Sequence, residues 1–110
     1  MTTMNDAVIS VKVTYTVKPG FALKNQENIN LFMNDVRRIN NPGVRYNIYL
    51  GGDGKTFTHI SLYKDEASQK AFLGLESFKY FQQQRDESGL EAAPKIETMK
   101  LVDSSEDLFF

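Results

Sequence analysis

Residues 7–17 (AVISVKVTYTV) alternate without a break: Ile9, Val11, Val13, Tyr15 and Val17 fall on one side, Ser10, Lys12, Thr14 and Thr16 on the other. A strict period of two written in β-branched residues predicts a strand with one buried face, and Pro19-Gly20 ends it. Residues 25–40 then change period. Ile29, Phe32, Met33, Val36 and Ile39 recur at steps of three and four, which predicts an amphipathic helix. Asn25 is the expected N-cap, Arg37 and Arg38 complement the dipole in the last turns, and Asn40-Asn41-Pro42-Gly43 supplies the stop.

Two short strands follow, 44–50 (VRYNIYL) and 56–63 (TFTHISLY), around Gly51-Gly52-Asp53-Gly54. Asp-Gly can occupy the positive-φ positions of a tight hairpin. A two-residue turn there and a five-residue loop put opposite faces together, so the cross-strand partners stay open. Asp65 is placed to cap a second helix carrying Ala67, Ala71, Leu75 and Phe78, with a break at Gly74. A further helical piece covers 77–88 and closes at Gly89, and residues 95–102 (KIETMKLV) read as a last, more polar strand.

The order β-α-β-β-α-β is the ferredoxin-like pattern, an α+β fold whose four-stranded antiparallel sheet carries both helices on one face. The other face of the first strand (Ser10, Lys12, Thr14, Thr16) is too mixed for a core and too β-branched for plain exposure. A mirrored second subunit fits that composition. The chain is expected to be one domain over 1–110, with 1–6 and 104–110 as flexible or dimer-contacting tails, Leu108-Phe109-Phe110 among them.

Charge and residue usage exclude several function classes. The formal net charge is −1 and the densest basic pair is Arg37-Arg38, so nucleic acid is not an expected partner. Without cysteine there is no thiolate, disulfide or Fe–S chemistry, and one histidine among scattered carboxylates does not predict a metal site. No apolar run approaches the ~18 residues of a membrane span, and the polar start is not a signal core. A cytoplasmic, membrane-free location is the expectation. Gly51-Gly52-Asp53-Gly54 joins strands rather than opening a helix, so it lacks the N-terminal dipole of a phosphate loop.

The stretch Thr56 to Phe81 resembles the third strand and second helix of the antibiotic biosynthesis monooxygenase family. Tyr63 stands where that family has an aromatic residue, Asp65-Glu66-Ala67 opens the helix, Glu76-Ser77-Phe78 matches its Ser/Pro-His-Phe segment, and Pro42-Gly43 matches its turn before strand two. The resemblance implies a homodimer in which two sheets face one another as a dimeric α/β barrel, with a pocket between sheet and helices in each subunit. It also implies oxidation of phenols or quinols by molecular oxygen without a cofactor, or, in other members, haem degradation. Here the chain departs from the pattern. Ser77 replaces the helix histidine, there is no tryptophan, and the first strand lacks the asparagine of the haem-degrading members.

His59, the only histidine, is the natural candidate for a general base that takes a phenol proton, leaving a phenolate for oxygen to attack. On an ordinary half-exposed strand it would instead be a solvated polar residue. Tyr63, Tyr46, Tyr49 and Phe72 are candidates to stack on a flat ligand, or else core aromatics. Asn47 and Arg45 could orient a ligand oxygen, or face solvent. Two functions follow: a cofactor-independent monooxygenase of small aromatic phenols or quinols, or a non-catalytic dimeric binding or stress-response domain. An isomerase or decarboxylase on the same fold is a third, since fold alone does not fix chemistry.

Overall fold

A computed structural model describes residues 8–109; the expected tail at 1–6 and the terminal Phe110 lie outside them. Strand β1 runs Ile9–Thr16, helix α1 Ala22–Ile39, strand β2 Val44–Leu50 and strand β3 Thr56–Tyr63. Helices α2 (Glu66–Leu73) and α3 (Glu76–Gln84) follow, then a five-residue π-helical turn, Arg85–Gly89, and strand β4, Lys95–Met99. The strands lie in the order β2-β3-β1-β4, every neighbouring pair antiparallel. This is the ferredoxin-like α+β arrangement the periodicities predict.

Several boundaries differ from the sequence reading; the helix expected over 77–88 is α-helical over Glu76–Gln84 and ends in the π-helical turn. Helix α1 begins at Ala22, so Asn25 is not its N-cap. Pro19 opens a 3-10 turn, Pro19–Phe21, whose fixed φ leads straight into the helix and moves its start forward by about one turn. Asn25 then falls on the buried stripe with Asn28, Ile29 and Phe32. Strand β4 stops at Met99 rather than 102, its last pairing with β1 being Met99 against Ser10. Elsewhere the local signals hold. Asp65 accepts from Ser68 N at 2.9 Å as an N-cap, and Asn40, at φ 52°, closes α1 in the left-handed conformation asparagine tolerates.

The hairpin register is that of a two-residue turn, although the loop itself is wider. Gly51 N donates to Thr56 O at 2.8 Å, Gly54 takes φ 75°, and Asp53 Oδ1 accepts from Lys55 N and Thr56 N. Leu50 therefore faces Phe57, Ile48 faces His59 and Tyr46 faces Ser61. Across β1, His59 faces Val13 and Phe57 faces Tyr15. Tyr46, His59 and Tyr15 thus share the helix-covered face.

That face holds the core. Tyr15, Phe32, Phe57, Tyr63, Phe72, Phe78 and Phe81 are all buried and touch one another in stacked and edge-on pairs, such as Phe32 on Phe78 at 5.2 Å and 83°. The opposite face carries Lys12, Thr14, Thr58, Asn47, Tyr49 and Glu97, with Lys12 and Glu97 paired at 3.9 Å. Phe109 of the C-terminal segment is buried beside it, its ring 5.5 Å beneath the Arg45 guanidinium. Among the described residues no helix is long and apolar enough to cross a membrane.

Candidate functional site

The alternation that makes β3 a strand also makes every second residue of it point at the helices, and those residues are Phe57, His59, Ser61 and Tyr63, all buried. A polar pair in the middle of an aromatic layer needs hydrogen-bond partners. His59 has them on both nitrogens: Nε2 lies 2.8 Å from Tyr15 Oη and Nδ1 lies 2.7 Å from Tyr46 Oη. Asn25, fully buried, donates from Nδ2 to Tyr15 Oη at 2.9 Å. Four side chains from α1, β1, β3 and β2 form one continuous line.

Beside this line lies a cavity of about 260 Å³. Its walls include His59, Tyr46, Tyr63, Phe78, Phe81 and Arg85, and Ile96, 70% exposed on β4, stands at its edge. Ligand pockets run from roughly 300 Å³ upward, so this one suits a small ligand of one or two rings. Arg85 is the one buried cation among the described residues, 9% exposed. Its guanidinium sits 5.1 Å over the Tyr15 ring and 5.4 Å over Phe81, a cation held on two aromatic faces. Only its Nε has a protein hydrogen-bond partner among the described residues, Asp86 Oδ1 at 2.9 Å, and that carboxylate is half exposed. The planar Nη fork therefore remains available to an anionic or carbonyl oxygen.

Burial governs the protonation states. It pulls His59 down to about 3, with the Arg85 charge adding to the effect, so the imidazole is neutral at physiological pH. The same desolvation raises Tyr15 and Tyr46, against the Asn25 hydrogen bond in the first and the Arg85 charge in both. Tyr63 is raised for the same reason. His59, uncharged, engages a phenol with each nitrogen and so connects Tyr15 to Tyr46.

The structure brings His59, Tyr46 and Tyr63 to the cavity. Phe72 stands one layer behind, stacked on Tyr46 at 4.7 Å and 24°, and lines a separate cleft of about 90 Å³ with Val36 and Leu75. Asn47, Arg45 and Tyr49 are exposed on the opposite face and contribute nothing to the cavity, because β2 alternates and Tyr46 and Ile48 take the inner positions. Arg85 is not among the sequence candidates, and Asn25 and Tyr15 figure there only as an expected N-cap and a buried strand residue. Arg85 resembles a solvated cation near a helix end, yet Phe78, Phe81 and Arg85 follow steps of three and four. That spacing is the signal that places it on the buried side. No group of three or more metal-ligating side chains occurs among the described residues.

No family model and no curated protein matches the sequence. Solved structures do. A candidate antibiotic biosynthesis monooxygenase from Caulobacter crescentus superposes with a TM-score of 0.75 at 22% identity, over 88% of this chain and 92% of its own. A second, from Bacteroides thetaiotaomicron, gives 0.72 at 14% identity over 90% and 91%. A Mycobacterium tuberculosis protein gives 0.76 at 15% identity over 91% and 100%. The fold is that of the antibiotic biosynthesis monooxygenases. Identities this low carry the architecture alone.

Proposed function

We propose that the cavity binds a small aromatic molecule bearing an acidic oxygen, a phenol or quinol, and exposes its ionised form to molecular oxygen without a cofactor. The carrying observation is Arg85, a buried guanidinium that lines an aromatic-walled cavity. A cation in such surroundings lowers the pKa of a bound phenol by direct attraction, strengthened by the low local dielectric. The phenol proton leaves to solvent at the Ile96 edge, and the electron-rich ring carbon adds oxygen as a peroxide that takes a proton back from solvent. Cleavage of its O–O bond with loss of the ring C–H proton releases water and leaves a quinone. Phe78, Phe81 and Tyr63 hold the ring and exclude water. His59 contributes by holding Tyr46 and Tyr15 in place, a positioning role instead of the direct base its sequence context suggests. Two subunits associate through the half-polar sheet face in this reading, with Phe109 at the seam.

A second reading, a non-catalytic binding domain, is favoured by one observation: among the described residues the one imidazole at the cavity has both nitrogens hydrogen-bonded to tyrosines. An oxygen electrode separates the two. Wild type and Arg85→Met are assayed against a panel of phenols and quinols above pH 7, with ligand binding followed in parallel by thermal shift. Oxygen uptake by wild type that falls at least tenfold in Arg85→Met supports the oxygenase. Stabilisation by an aromatic anion with no oxygen uptake sinks it and leaves the binding domain.

A further inference from the structure

The line Asn25–Tyr15–His59–Tyr46 has a direction, and the direction is set at its buried end. A neutral imidazole has one donor and one acceptor nitrogen, so only one of the two tyrosines can donate to it and the other must accept. Burial breaks the symmetry. Tyr15 is 3% exposed and does not line the cavity, and it already accepts from Asn25 Nδ2. Its own proton has His59 Nε2, at 2.8 Å, as acceptor. Arg85, lying over the Tyr15 ring, has only donors and cannot serve. Reversing the Asn25 amide would let Tyr15 donate to Oδ1, but it would strand a buried NH₂. An orphaned buried donor is rarer than an orphaned carbonyl, and Asn25 Oδ1 is the atom left without a partner.

With Nε2 accepting, the ring proton sits on Nδ1 and is donated to Tyr46 Oη at 2.7 Å. The Tyr46 hydroxyl, half-buried on the cavity wall, then has its own proton to spare. We infer that Asn25 and Tyr15 fix the polarity of this chain so that Tyr46 presents a donating hydroxyl to the cavity, which therefore selects ligands with an accepting oxygen, a phenolate or a quinone carbonyl. Asn25 is a positioning residue acting through Tyr15 and His59, and Tyr46 is the specificity-determining contact. The ligand half of this inference rests on the cavity being the ligand site; the polarity does not.

The polarity is read without any ligand. His59 is the only histidine, so a long-range ¹H–¹⁵N correlation spectrum of the intact protein at pH 7 shows one imidazole. Protonated Nδ1 with an unprotonated Nε2 is the expected result. A proton on Nε2, or averaging between tautomers, overturns the inference. The ligand half is tested by calorimetry with 1,4-naphthoquinone, which only accepts, against naphthalene, which has no polar atom. Tyr46→Phe is expected to weaken the quinone about tenfold, one ordinary hydrogen bond, and to leave naphthalene unchanged. Equal loss for both overturns the selectivity. Failure of both to bind wild type would overturn the cavity as an aromatic ligand site while the tautomer result stood.

Discussion

Tyr15 and Tyr46 hydrogen-bond to the same imidazole, yet deleting their hydroxyls is expected to cost very different amounts. Tyr15→Phe keeps the ring and its stack on Phe57, centroids 5.6 Å apart at 13°. It removes an oxygen that satisfies both Asn25 Nδ2 and His59 Nε2, in side chains only 0% and 3% exposed. Each buried polar group so stranded costs about 1–3 kcal/mol, and the two share one site, so about 2–4 kcal/mol in total is expected. In a domain of this size about 4 °C of melting temperature goes with each kcal/mol, a fall of about 8–16 °C. Tyr46→Phe strands His59 Nδ1 at the edge of the cavity, where water can replace the lost partner, and about 1 kcal/mol is expected. Urea denaturation of wild type and both variants, read by circular dichroism with a common m value, measures the difference. Equal losses, or a Tyr15→Phe variant within 1 kcal/mol of wild type, would refute the buried network as drawn.

Acid should destabilise the protein through His59. Its folded pKa of about 3 lies below the ordinary value near 6.5, so between those pH values the unfolded chain binds a proton the native state refuses, and stability falls as pH drops through that window. At about 1.4 kcal/mol per pH unit the loss reaches about 4–5 kcal/mol for this one group. His59→Gln should flatten the wild-type dependence between pH 7 and 4, and a steeper profile in the variant would contradict the sign. Arg85→Met should raise the His59 pKa, since the Arg85 charge helps depress it, though not to the ordinary value because burial is the larger cause; an NMR titration that shows no change would remove Arg85 from the site's electrostatics. Gly89→Ala puts a Cβ 2.5 Å from the Phe21 ring and should cost about 1–3 kcal/mol, while Gly20→Ala, with nothing within 4 Å, should be neutral or slightly stabilising; similar melting temperatures for the two would count against the close packing of the π-helical turn.

The elements and their order were legible in the chain because their signals are local. Period two over β1 and period 3.6 over α1 are enough to orient each buried face, and Asp65 and Asn40 punctuate the helices by short-range hydrogen bonding. His59, Tyr63 and Tyr46 were legible as candidates because alternation assigns them a face. Asn47 was not excluded, since the hairpin register that turns it outward depends on how Asp53 and Gly54 close the loop.

What only the tertiary structure decided is which polar groups meet. Asn25 and Tyr15 are ten residues apart, Tyr15 and His59 forty-four, and no local pattern encodes their hydrogen bonds. Pro19 advances the start of α1 and so turns an apparent cap into a buried donor. Arg85 changes from a surface charge to a cavity cation because α3 packs its phenylalanine stripe onto the sheet and ends in a π-helical turn there. Sequence periodicity fixes which side of an element is buried; the partner each buried group finds is fixed only when the elements pack, because hydrogen bonds and desolvation depend on distances of a few ångströms between residues far apart in the chain.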